Sequence, residues 1–408
     1  MRSLRYAVSV PGSGPIQFEA SASQVLGGLR RAVSAVLSGL DGVSRAVDVA
    51  DRLGIDRSLA WKVWRVSAGE GGLPSPAHIP GRAGFERFLK AARNAGVGLG
   101  PVTEAREAYA AFGQLAGAHG GDRATADIML GALTQEGKKR QEWSLRRDAF
   151  HANSHFLGVR CDTLYQADAL LPPPPGYMPE VARLSVLSGF RRMRADVPWI
   201  ISRSALATRD GLRPSPRREP LEGGSESTGL VERFCSLPTP GVIRRRPDAS
   251  TVEDEIQPGP VGEPVTVVLG ERVSMMPFEP VPSDAVTMAV FTPAERLCYD
   301  VLIPEGMIEG TPELKVHSTV HGDTPHVRGR EYDRIPVFEG FVDLGPARDI
   351  PAVASIPGHG ALLGWFLERL GAPADRLRGF RAMLRYPPIP CRISGQYTFS
   401  ASFPGGAA

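Results

Sequence analysis

Residues 44–66, SRAVDVADRLGIDRSLAWKVWRV, constrain the chain more than any other stretch. Ala46, Val47, Val49, Ala50 and Leu53 recur at helical spacing and give one short helix a buried face. Gly54 can take the positive φ that ends it, Ile55 plugs the turn, and Asp56 can cap a second helix. That second helix carries a Leu59, Val63, Val66 stripe with Ala60 and Trp64 beside it. A turn this short makes the helices cross steeply, which requires small residues at the crossing. Ala50 and Ala60 supply them.

The flanking segments extend the helical pattern. Before the pair, β-prone residues 4–10 predict a strand, and the periodicity from Ser21 or Ser23 to Leu40 predicts a helix ended by Gly42. After it, a Gly/Pro-rich connector leads to GFERFLKAARNAG, VTEAREAYAAFGQLAGAHG and a helix over roughly 122–135. Residues 1–170 are therefore expected to form a helical domain, closed by the stiff run Pro172–Pro175. From 171 to 260 the pattern predicts one helix, up to Pro198, and a linker with a mobile loop at 208–228. Residues 261–408 read as an α+β domain. The β-branched runs PVTVVLG, AVTMAVF, LCYDVLI, LKVHSTVH and PVFEGFVDL predict strands. GHGALLGWFLERLG predicts a helix, Ala372–Asp375 start another, and ISGQYTFSASF predicts a last strand.

The expected fold class is thus mixed: an N-terminal all-α helix-turn-helix bundle followed by an α+β domain with a mainly antiparallel sheet. With 408 residues, 42% of them hydrophobic, the chain can fill more than one core. A formal net charge of +3 is too small to imply nucleic-acid binding by itself, so charge is read locally. Cys161, Cys235, Cys298 and Cys391 lie far apart with no paired spacing, which points to a reducing compartment. The N-terminus has no signal-peptide core and no run approaches a membrane span, so a cytoplasmic protein without a membrane partner is expected.

The spacing of Ala50, Gly54, Ile55, Ala60 and Val63 resembles the helix-turn-helix of bacterial transcription regulators. With GRAGFERFLKAAR after it, the region Ala22–Asn94 resembles the DNA-binding domain of RpiR-type regulators. The resemblance implies that the second helix enters the major groove of double-stranded DNA, with Asp56, Arg57, Ser58, Trp61, Lys62 and Arg65 facing the duplex. Their chemistry fits that role: Arg57 suits a guanine edge, Lys62 and Arg65 suit phosphates, and Ser58 suits either. A homodimer and a small-molecule effector bound by the C-terminal part are expectations from the class. No cofactor is implied.

A second basic patch, Lys138, Lys139, Arg140, Arg146 and Arg147, has Trp143 and Phe150 to anchor it. Arg191, Arg192 and Arg194, and then Arg244, Arg245 and Arg246, form smaller clusters; any of these could neutralise phosphates, though a charge run is usually a solvated face. A different chemistry sits in LKVHSTVHGDTPHV. On an extended strand His317, His321 and Asp323 share a face and could hold a metal for an enzyme. They span more than about 12 Å unless Gly322 folds the segment back. The helix pair could also serve as scaffold in a non-catalytic interaction protein.

Overall fold

The computed structural model describes residues 15–68, 74, 76–120, 130, 135–171, 179–205, 217–223, 227–248, 251–274, 283–320, 333–371 and 374–400. The expected strand at 4–10, the helix at 122–135 except Leu130 and Gln135, and Pro172–Pro175 lie outside them. The chain divides into two compact units, residues 1–142 and 143–408. This moves the expected boundary back from 170.

The first unit is helical: α1 (Pro15–Ser38), α2 (Ala46–Leu53), α3 (Arg57–Ala68), α4 (Arg82–Asn94) and α5 (Leu99–Gly120). α1 begins at Pro15, a residue whose fixed φ suits a first helical position, rather than at the serines. Its Leu26, Leu29, Val33 and Val36, with Leu40 just beyond its end, bury together with Val49 and Leu53 of α2, Leu59 and Val63 of α3, and Phe85 and Phe88 of α4. The division between units falls inside α6 (Gln135–Leu157).

The second unit is built on a seven-stranded sheet ordered β12 (Val342–Pro346), β13 (Leu377–Arg385), β9 (Ala294–Pro304), β1 (Val159–Leu171), β2 (Glu180–Arg192), β7 (Val265–Ser274) and β4 (Arg217–Pro220). All its neighbours are antiparallel except the central pair, β1 and β9. One face packs on a four-stranded sheet, β11 (Arg334–Ile335), β10 (Glu313–Ser318), β14 (Cys391–Thr398) and β8 (Ser283–Val290). The other packs on α7 (His359–Leu370) through Leu362, Leu363, Trp365 and Phe366. A third sheet joins β3 (Trp199–Ala205), β6 (Thr251–Ile256) and β5 (Val242–Asp248).

Helices before a mainly antiparallel sheet is the order expected, but the sheet starts earlier. β1 falls in the half expected to be helical, and β2 where the pattern predicts a helix; both are strands at the sheet centre. Both faces of β2 are covered: Ala182, Leu184 and Val186 face α7, whereas Val181, Leu187 and Phe190 face the four-stranded sheet. A strand buried on both sides loses polar–apolar alternation, and its near-continuous apolar run is ambiguous with a helix. The 171–260 linker is likewise replaced by strands β2 to β6, with 206–216 and 224–226 outside the described residues. Ala374–Arg376 form only a single 3₁₀ turn before β13.

Candidate nucleic-acid interface

The α2–α3 pair is set up by local chemistry. Asp48 accepts hydrogen bonds from the Ser44 and Arg45 amides at 3.0 and 2.8 Å, tying down the start of α2. The Ser44 amide first, then the Arg45 guanidinium and the Ser44 hydroxyl, hold its carboxyl pKa down to about 2. Gly54 ends α2 at φ 61°, and the Ile55 amide bonds back to the Ala50 carbonyl at 3.2 Å, a left-handed helix stop. Asp56 then caps α3, its Oδ1 accepting the Leu59 amide at 2.9 Å. Ala50 and Ala60 are both buried at the crossing.

α3 is divided cleanly. Leu59, Ala60, Val63 and Val66 are buried, and Trp64 packs against the same core. Arg57, Ser58 and Trp61 are exposed, with Lys62 and Arg65 half-buried beside them. At offsets of one, four, five and eight residues from Arg57, these five occupy one side of the helix. Trp61 is 46% exposed; one edge rests on the buried His78 ring at 4.9 Å, and the Arg65 guanidinium lies 6.0 Å from its centroid. The indole is therefore a braced surface aromatic, not a core residue. Asp56 lies 4.0 Å from Arg87 in an exposed pair.

The other basic clusters are arranged differently. Arg146 is buried and donates to both Glu339 oxygens at 2.9 and 3.5 Å, so it is spent on an internal ion pair. Arg147 is exposed and 3.9 Å from Asp148, and Lys139 is exposed, whereas the side chains of Lys138 and Arg140 lie outside the described residues. The expected patch thus does not form one surface: Arg146 faces inward while Arg147 faces out. Arg191 pairs with Asp162, and Arg192 donates to the carbonyls of Val197 and Ile256 at 3.2 Å. Arg244 binds Asp254 at 2.8 and 3.0 Å, and Arg245 binds Glu255 at 3.1 Å. These arginines tie strands together.

Of the metal candidates, His317 sits on β10, opposite Arg334 and Arg392 in register, and His321 and Asp323 lie outside the described residues. Among the described residues no three His, Cys, Asp or Glu side chains converge as metal ligands would.

Two buried ionic networks were not anticipated. Asp168 on β1 accepts from Arg183 at 2.7 and 3.1 Å, from Gln166 at 2.8 Å and from the Tyr299 hydroxyl at 2.7 Å. Asp300 on β9 accepts from Arg381 at 2.7 Å twice and from the Tyr165 hydroxyl at 3.0 Å. The arrangement is reciprocal: each central strand's tyrosine bonds the other strand's aspartate, and each aspartate meets an arginine directly opposite on its antiparallel neighbour. The networks lie on opposite faces, Asp168 toward the four-stranded sheet and Asp300 toward α7. Burial pushes both tyrosines' pKa values well up, so they stay hydroxyl donors.

Beside the second network His359, the first residue of α7, meets the Tyr165 ring edge-on at 4.7 Å, and among the described residues neither ring nitrogen has a hydrogen-bond partner. Burial pulls its pKa down to about 4; Asp300 opposes this and Arg381 adds to it. The sequence signal for these networks is a lone aspartate in an apolar strand run, as in YQADALL and LCYDVLI. A buried carboxylate there must find a cation.

No protein-family model matches the chain, and no curated protein matches it. Among solved structures, the crystal structure of a candidate protease from Parabacteroides distasonis is matched with a TM-score of 0.27 and 8% identity. That likeness covers 59% of this chain and 40% of the other, so the chain spans less than half of the protein it matches.

Proposed function

We propose that the chain binds double-stranded DNA in a sequence-dependent way through the outward side of α3, as the helix-turn-helix element of a transcription regulator, with the second unit sensing an effector or joining protomers. The observation that carries this is the division of α3: a buried Leu59, Ala60, Val63, Val66 side and an outward Arg57, Ser58, Trp61, Lys62, Arg65 side that follows a tight turn. Base edges are read by side chains near the start of such a helix, where Arg57 and Ser58 stand, and phosphates are neutralised by cations farther along, where Lys62 and Arg65 stand. Trp61 offers an apolar face to a thymine methyl or sugar.

The test is a fluorescence-anisotropy titration of duplexes selected from a random pool. An Arg57→Ala/Lys62→Ala/Arg65→Ala triple variant should bind at least about tenfold more weakly and show a shallower salt dependence, by about 0.9 in log–log slope for each phosphate contact removed. Binding equal to wild type, with an equal salt slope, refutes the assignment.

A further inference from the structure

We infer that the outward side of α6 is a self-complementary surface on which a second copy of this chain docks antiparallel. The second-unit part of the helix buries Arg146, Phe150 and Ser154. On the opposite side Leu145, Ala149, Ala152 and Phe156, spaced by four, three and four residues, are all exposed; Leu145 is 44% and Phe156 74% exposed. That spacing makes one continuous apolar stripe along about 16 Å of helix. A phenylalanine this open at the end of such a stripe is anomalous for a surface that meets only water.

What selects a second copy as the occupant is the order of the residues. Leu145 and Phe156 are centred on the same point as Ala149 and Ala152, midway between Phe150 and His151. A two-fold axis there brings each Leu145 against the other copy's Phe156 and each Ala149 against the other's Ala152. Large groups meet at both ends, and small ones at the middle let the backbones approach, the pattern an isologous interface requires.

Charge follows the same symmetry. Asp148, exposed on the flank of the stripe, falls between His151 and His155 of the opposite copy, both also exposed. Within one chain Asp148 also lies 3.9 Å from Arg147 in an exposed pair, and across the two-fold its carboxylate is turned toward the imidazole flank. A parallel pairing would instead turn Asp148 toward the partner's other flank, away from His151 and His155. The antiparallel one is complementary.

This inference goes beyond the DNA-binding proposal and is read without DNA, so either can fail alone. Sedimentation velocity of the full chain over a wide concentration range should show a reversible dimer. Leu145→Asp and Phe156→Lys, both at exposed positions, should each weaken it by about tenfold or more. Combining them should restore most of the loss, because the introduced carboxylate and the introduced ammonium then face each other only across the antiparallel pair; within one helix they are about 16 Å apart. Circular dichroism confirms that the variants fold. Should one not fold, oxidising a mixture of Ala149→Cys and Ala152→Cys chains is the second measurement, with mixed cross-linked dimers expected in excess over either chain linked to itself. A wild-type monomer at all concentrations, single variants that dimerise as well as wild type, a double variant no better than the singles, or no excess of mixed cross-links would each overturn the inference.

Discussion

Replacing Asp300 by alanine should destabilise the second unit far more than its single lost carboxylate suggests. The side chain is fully buried and the Arg381 guanidinium, 9% exposed, is held by it in a two-bond fork at 2.7 Å. The variant strands that cation on the α7 face, with the Pro351 carbonyl, at 2.8 Å, as a remaining partner, and leaves the Tyr165 hydroxyl without its acceptor. Breaking a buried pair by removing one partner costs about 3–5 kcal/mol, a large part of the about 5–15 kcal/mol that holds a domain folded. The assay is urea unfolding read by hydrogen exchange at β9 and β13, which isolates this unit's transition. Two variants calibrate it. Glu222→Ala, which removes a partner of the half-exposed Arg233 and Arg369, should cost less than about 1 kcal/mol. Asp300→Leu combined with Arg381→Met should recover most of the loss, because an apolar pair of similar volume needs no desolvation. If Asp300→Ala proves as mild as Glu222→Ala, the network is not structural and its burial has been misjudged.

Two further outcomes follow from local geometry. His359 is held neutral, at a pKa of about 4 against an ordinary 6.5. The unfolded chain therefore takes up a proton first, so the contribution is complete above about pH 6.5 and is lost as pH falls toward 4, up to about 3 kcal/mol. His359→Gln should flatten the pH dependence of unfolding in that window relative to wild type, and an unchanged slope would contradict it. Asp56→Ala should cost the first unit about 1 kcal/mol by uncapping α3, seen as a lower urea midpoint for the α2 and α3 amides; protection equal to wild type would mean the cap contributes nothing.

Much of the first unit was legible in the residue order. Gly54, Asp56 and the Leu59, Val63, Val66 stripe act within one or two turns of backbone, so their consequences are local and the helices appear where the spacing puts them. The same holds for β7 to β10 and for α7, whose end at Gly371 is a left-handed stop. The sequence by itself thus determined where turns fall, which face of each amphipathic helix is apolar, and which residues of α3 lie opposite its buried stripe. Only the tertiary structure decided that β1 and β2 are strands, because their apolar runs are covered on both sides by partners from the far end of the chain, the four-stranded sheet on one face and α7 on the other, and β9, which pairs with β1, lies more than a hundred residues from it. Tertiary packing also decided what each charge does. Arg146, Arg191 and Arg244 look in sequence like the cations of a binding surface, yet each meets a carboxylate that only folding brings near, Glu339, Asp162 and Asp254. A charge written in the sequence is only a demand for a partner. Whether the partner is inside the molecule or outside it depends on long-range contacts, and on α3 the side that carries Arg57, Ser58 and Trp61 is still turned outward.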